Sequence, residues 1–159
     1  MDFQRMLMLQ KQLDECISKK YQIEKKTKQP EKILAFLVEI SELAEETCCY
    51  KYWNQKVCAP AHVILDKYVS ALHFLLSIAL DFGVRELEVP IVKTERPLTE
   101  QFLKVFSEST LFLKEFNYTK FISLITQYVF LGKILGFTRE EIQSAYIEKN
   151  GQYCVKQRQ

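Results

Sequence analysis

Residues 32–53 read KILAFLVEISELAEETCCYKYW, and the rest of the chain is organised around them. Ile33, Leu34, Phe36, Leu37, Ile40, Leu43 and Ala44 recur at helical spacing and make one apolar arc. At about 100° per residue, Glu39, Glu42 and Glu46 fall within about 60° of one another on the other side. A helix presenting carboxylates in this way can offer oxygens to a hard cation such as magnesium. Glutamates opposite an apolar arc are also what any solvent-facing helix shows, so the stretch alone leaves both possibilities open. Beyond it, Tyr50-Lys51-Tyr52-Trp53 sets a cation among stacking rings, which suits a nucleotide.

Composition bounds the rest. A chain of 159 residues is expected to form one domain, residues 1–159, burying about 70% of its unfolded surface. Apolar content is 48%, and 22 basic residues face 20 acidic ones, which excludes a disordered chain. The net charge of +2 gives no strong pull toward nucleic acid or a membrane surface, and neither is expected as a partner. Four glycines and four prolines are too few for the turns of a β-rich fold, so the composition favours helices. Cys16, Cys48, Cys49, Cys58 and Cys154 show no metal-knuckle spacing. Their odd number reads as reduced thiols in a cytoplasmic protein. The N-terminal stretch MDFQRMLMLQKQLDE is amphipathic rather than a secretion signal. The longest apolar run, around Ala71–Leu80, reads as too short to span a bilayer.

Phe3, Met6, Leu7, Gln10, Leu13, Asp14 and Ile17 trace a first helix ending near Tyr21. The lysine-rich Ile23–Lys32 reads as a connection, with Pro30 in the first turn of the next helix, which extends from near Glu31 to near Lys51. Asn54–Pro60 is the next connection. A helix from Ala61 to about Phe82 is apolar over most of its circumference, which predicts a central, buried position. Along it, Asp66, Ser70, His73 and Ser77 form one polar stripe that requires partners: another helix, water, or a cleft facing Glu39 and Glu42. His73 by itself is more often a satisfied core histidine than a ligand or base. Gly83–Pro97 is a further connection, broken by Pro90 and Pro97. Thr99 can cap a helix to about Phe116, with Phe102, Phe106, Leu113 and Phe116 buried. Phe121, Leu124, Ile125, Tyr128, Val129, Leu131 and Leu135 mark another helix, stopped by Gly136. Thr138-Arg139-Glu140-Glu141 is a capping box opening a last helix that ends near Asn150-Gly151.

Three blocks carry a family resemblance. VEISELAEETCCYKYW resembles the first motif of the dimeric dUTPases, in the all-α NTP pyrophosphatase superfamily that includes MazG. Glu39, Glu42, Lys51 and Trp53 match its ExxE and aromatic-Lys-aromatic-Trp pattern without a gap. LDKYVSALHFLLSIAL resembles the segment in which two acids, ExxD, precede His-Phe; His73 and Phe74 fit. Lys67 stands where the family has Glu, and Ser70 where it has Asp. AYIEKNGQYCVKQ resembles AYxxKNxxNxxRQ, with Tyr146, Lys149, Asn150 and Gln157 matching, Tyr153 replacing the second Asn and Lys156 replacing Arg.

The resemblance spans nearly the whole chain. It implies an all-α helical bundle of about five or six helices, a homodimer, and hydrolysis of dUTP or dUDP to dUMP with magnesium. It further implies metal ligation by Glu39 and Glu42, with Glu46 as a further ligand or water-orienting base. Asp66, one turn from Ser70 on the same stripe, is a candidate to replace one of the missing metal acids. Gln10, Lys51, Trp53, His73, Phe74, Tyr146, Lys149, Asn150 and Lys156 would meet the nucleotide and its phosphates. The departures at Lys67 and Ser70 halve the family's four metal acids, since an ammonium cannot ligate magnesium. The alternative is therefore a catalytically weak or inactive relative that keeps the fold and binds a nucleotide or a partner. In such a relative, Lys67 would form a salt bridge with Glu39 or Glu42.

Overall fold

The helix richest in apolar residues takes the centre. In the computed structural model, which describes residues 1–23, 28–53, 57–93 and 96–158 (the side chains of 157 and 158 excepted), six helices follow one another and no strand occurs among the described residues. They are α1 (Phe3–Lys20), α2 (Gln29–Thr47), α3 (Ala61–Asp81), α4 (Leu98–Lys114), α5 (Tyr118–Ile134) and α6 (Arg139–Arg158). The all-α expectation holds. The connections expected at Ile23–Lys32, Asn54–Pro60 and Gly83–Pro97 each include residues outside the described set.

α3 packs against α1, α2, α5 and α6, while α4 pairs with α5 and α1 with α6. Tyr68, Val69, Leu72, Leu75, Leu76 and Ala79 of α3 are all fully buried. By length and composition α3 could cross a membrane, contrary to the shorter run read from the sequence, but 61% of that apolar window is buried inside the protein. Its apolarity is accounted for by its central place in the bundle. Tyr68 stacks on Tyr128 of α5, ring centroids 4.7 Å apart and 8° from parallel. Each hydroxyl donates to the other residue's carbonyl, at 2.7 Å from Tyr128 and 3.3 Å from Tyr68. Two large rings are thereby buried with their polar tips satisfied. The ring of Tyr68 lies so near α5 that a Cβ at Gly132 would come within 2.7 Å of it.

Helix ends follow local chemistry. Pro30 lies in the first turn of α2, where its missing N–H costs nothing. Asn117 caps α5 by accepting from the Lys120 N–H at 2.9 Å. The Thr138–Glu141 capping box forms in both directions, with Thr138 N donating to Glu141 and Glu141 N to Thr138 Oγ1. Gly136, at φ 88°, follows α5 in the left-handed region.

Four expectations need correction. First, α2 ends at Thr47, not near Lys51, because Cys48 turns into the left-handed region at φ 53°; the aromatic tail therefore lies beyond the helix. Second, Thr99 is not a cap: α4 starts directly after Pro97, and the Thr99 hydroxyl donates instead to the Cys49 carbonyl at 2.9 Å. Third, α6 runs through Asn150-Gly151 to Arg158. Asn150 is buried and Gly151 is exposed with open space around it, so one glycine costs only about 1 kcal/mol of helix propensity. Fourth, Leu34 and Leu113 are exposed. Phe112 takes the buried place on α4, packing with Phe82, Phe116 and Phe121 in an aromatic cluster.

Candidate functional site

α2 and α3 lie side by side, as the apolar arc of one and the circumference of the other require, and this brings the carboxylates of α2 to the polar stripe of α3. Glu42 meets Lys67, whose ammonium donates to its carboxylate. The same ammonium feels Glu39 and Glu46, and the contact with Glu42 raises the Lys67 pKa above its ordinary value. Next to Lys67 on α3, Asp66 pairs with Lys149 of α6 at 2.7 Å. Lys149 also donates to Ser70 Oγ and to the Asp66 carbonyl, at 3.0 Å from the latter. Glu39 sits among all four, feeling Glu42, Lys67, Lys149 and Asp66. Burial, and then Glu42, push its carboxyl above the usual range. Its Oε2 is buried with no hydrogen-bond partner among the described residues.

Deeper in the bundle the stripe is satisfied by α1. His73 Nδ1 lies 2.8 Å from Gln10 Oε1. An amide oxygen only accepts, so Nδ1 carries the proton and Nε2 keeps a lone pair. Nε2 is buried without a partner. Burial, and then Lys149, lower the His73 pKa to about 3, so the ring is neutral. Tyr146 stacks on His73 at 4.2 Å and donates to Gln10 Oε1 at 2.7 Å. Gln10 Nε2 donates to Asp14 Oδ1 at 2.7 Å, and Ser77 donates to Asp14 Oδ2 at 2.6 Å. Burial raises the Asp14 carboxyl despite those two hydrogen bonds. Farther along, Lys32 pairs with Asp81 at 2.7 Å. The stripe of α3 thus runs Asp66, Ser70, His73, Ser77, Asp81, each member paired across to another helix.

Two of these partners were missed in the sequence. Asp14 was visible as a lone charge on the buried stripe of α1, which is itself a signal. Asp81 continues the stripe by another turn of four. Tyr153, in place of the family's Asn, packs its ring edge on His73 at 5.3 Å, and the Lys149 ammonium lies 5.8 Å from its centre.

The remaining site residues lie farther out. Lys51 pairs with Glu45 and lies 5.5 Å from the centre of the Tyr50 ring. Trp53 is exposed and contacts Tyr52 and Tyr50 edge-on, at 5.1 and 6.1 Å. Phe74 is half-buried against the core. Asn150 is buried, with an unpartnered Nδ2 and its Oδ1 facing the Cys154 thiol at 3.7 Å. Lys156 is exposed, and its carbonyl accepts from Lys20 of α1 at 3.0 Å. The Gln157 side chain lies outside the described residues.

Whether these groups suit magnesium turns on what the carboxylates face. A magnesium ion needs near-octahedral oxygen ligation. Among the described residues no three His, Cys, Asp or Glu side chains converge to hold a metal. Glu42 and Asp66 each hold an ammonium instead. As placed, the cluster is an ion-pair network and does not fit a magnesium cage.

An all-helical bundle with an ExxE helix beside a His-Phe helix, closed by a Lys-Asn helix, is the arrangement that the resemblance to the all-α nucleotide pyrophosphatases implies. A family model for dUTPase matches residues 2–159, and the chain belongs to the all-α dimeric dUTPase family. No curated protein matches it.

Proposed function

We propose that this chain is a member of the dUTPase family that binds a deoxyuridine nucleotide in the α2–α3–α6 cleft with little or no magnesium-dependent hydrolysis. The observation that carries this is the contact of Lys67 with Glu42, at the position where the family resemblance places the first acid of the second metal pair. Lys149 does the same for Asp66 and Ser70. Two ammonium groups among four carboxylates offset part of the carboxylate charge, a task that metal ions otherwise perform when a phosphate binds. On adding nucleotide, Lys149 is the group expected to turn from Asp66 to the phosphates, with Lys51 and Lys156 as further cations at the rim. Gln10, Asn150 and Tyr146 would order the base side of the cleft, Phe74 would back it, and Trp53 would close over it.

A second function, hydrolysis of dUTP or dUDP to dUMP with magnesium, is favoured by one feature. Glu39 keeps a buried, unpartnered carboxylate oxygen and a raised pKa, as a base that accepts a proton from water requires. In that case Lys67 would swing away, and Glu39, Glu42, Glu46 and Asp66 would be left to the metal.

We further propose a cytoplasmic homodimer, with neither nucleic acid nor membrane as partner. Exposed Leu34 and Val38 on α2 and Leu103 on α4 supply apolar surface for a second copy.

Calorimetry with dUMP, dUDP, dUTP and the matching cytidine and thymidine nucleotides, with magnesium or with chelator, tests the proposal. Product chromatography runs on the same mixtures. Uridine-selective binding that survives chelation, without products, is expected. Magnesium-dependent release of diphosphate or phosphate at about 1 s⁻¹ or faster would establish the hydrolase instead.

A further inference from the structure

A cavity of about 560 Å³ opens between the segment around Leu87–Val92, α5 and the start of α6. It shares no residue with the cleft above. Its size falls within the usual range for small-molecule sites, about 300–1,000 Å³. The walls are largely apolar, with Leu87, Ile91, Val129, Phe130 and Phe137 among them.

Glu88, Thr126, Lys133, Thr138 and Arg139 break that surface. Thr126 of α5 lines the cavity, is only 8% exposed, and its hydroxyl has no hydrogen-bond partner. A mid-helix threonine commonly returns its hydroxyl to the carbonyl four residues back, and a buried unmade hydrogen bond costs about 1–3 kcal/mol. Lys133, one wall residue farther along α5, has its ammonium 5.8 Å from the centre of the Phe130 ring. Arg139, the first residue of α6, also lines the cavity and is solvent-exposed. Neither cation has a carboxylate within 4.0 Å among the described residues. One acid, Glu88, also lines the cavity, leaving the lining side chains with an excess of one positive charge.

We propose that this cavity is a binding site, separate from the nucleotide cleft, for a small amphipathic carboxylate. The ligand has an apolar body, an anionic group set against Lys133 and Arg139, and a second polar atom that bonds the Thr126 hydroxyl. A purely alkyl ligand would leave Thr126 unsatisfied, and a neutral one would forgo the attraction of the two solvent-exposed cations, Lys133 and Arg139, at the rim.

The test uses the full chain and three probes: para-hydroxyphenylpropanoate, the analogue without the ring hydroxyl, and the alcohol analogue without the charge. Calorimetry is run on wild type, on Thr126→Val, and on Lys133→Gln with Arg139→Gln. In wild type, loss of the ring hydroxyl and loss of the charge should each weaken binding by roughly tenfold. The first penalty should vanish in Thr126→Val and the second in the double variant. Val129→Trp should fill the cavity and abolish binding while helical circular dichroism is kept. If that variant does not fold, the probe-by-variant comparison still decides. No binding of the hydroxylated acid at millimolar concentration would overturn the proposal. So would equal penalties in wild type and variants, or a solution dimer that Val129→Trp dissociates, which would assign the cavity to a second copy.

Discussion

His73 should make the fold sensitive to mild acid, and the size of the effect can be worked out. In the folded chain its pKa is lowered to about 3 from an ordinary 6.5, first by burial and then by Lys149, against a smaller opposing effect of Asp66. The unfolded chain therefore takes up a proton below pH 6.5 while the folded chain stays neutral until about pH 3. Stability falls wherever the unfolded state binds more protons, so it is fully present above pH 6.5 and is lost as pH drops. At pH 5 the loss is about 1.5 pH units at about 1.4 kcal/mol each, or about 2 kcal/mol. Asp14 and Glu39 act in the opposite direction, because their raised carboxyls protonate first in the folded state. A variant control removes that background. His73→Gln keeps a donor for Gln10 Oε1 but does not titrate. Guanidinium unfolding followed by far-ultraviolet circular dichroism at pH 7.5 and pH 5.0 should show wild type losing about 2 kcal/mol more than the variant. Parallel losses, within about 0.5 kcal/mol, would refute the assignment of a buried neutral imidazole.

Gly132→Ala should destabilise the fold by about 1–3 kcal/mol, since its Cβ meets the Tyr68 ring at 2.7 Å. The loss should shrink in a Tyr68→Leu background, and an unchanged melting temperature would contradict the contact. Glu42→Gln removes half of a largely exposed ion pair, so stability should change by no more than about 1 kcal/mol. Any magnesium-dependent turnover shown by wild type should disappear with it, and product release at an equal, non-zero rate in both proteins would make Glu42 a surface residue. Lys67→Glu combined with Ser70→Asp shifts the local charge from about +1 to about −2 and crowds the cleft with carboxylates. That variant should melt below wild type without magnesium and gain more on its addition, and scanning calorimetry showing equal gains would exclude a latent metal site.

Periodicity was enough to place α2 and α3 against each other, because an apolar arc and an all-round apolar helix have few other ways to bury themselves. The capping box and Pro30 were equally readable, being local chemistry. The end of α2 was not: nothing in CCYKYW requires a left-handed turn at Cys48, and the residues beyond it remained helical in pattern. The continuation of α6 was hidden by Gly151, where the stacking of Tyr146 and the anchoring of Lys149 outweigh a weak local stop. Within the site, the family motifs marked Glu39, Glu42, His73 and Lys149. Sequence could suggest that Lys67 meets an acid, but the choice of Glu42, and of Asp66 for Lys149, depends on helix rotation and on side-chain reach. Asp14 was visible only as an anomaly on an apolar stripe.

Trp53 has an optical consequence. It is the chain's single tryptophan and is 63% exposed, so its emission already reports a watery environment in the folded state. Heating or denaturant should shift that emission little, and tryptophan fluorescence is a poor gauge of unfolding for this protein. The same exposure makes it a sensitive gauge of docking, since a base stacked on the indole would quench it directly. Tyr50 and Tyr52, with rings 6.1 and 5.1 Å away, should pass excitation to the indole by resonance transfer. Exciting tyrosine while watching tryptophan would therefore be sensitive to the shape of the segment after α2. In a Trp53→Phe background the chain is dark at tryptophan wavelengths, and the indole of Val129→Trp would light up the second cavity without interference.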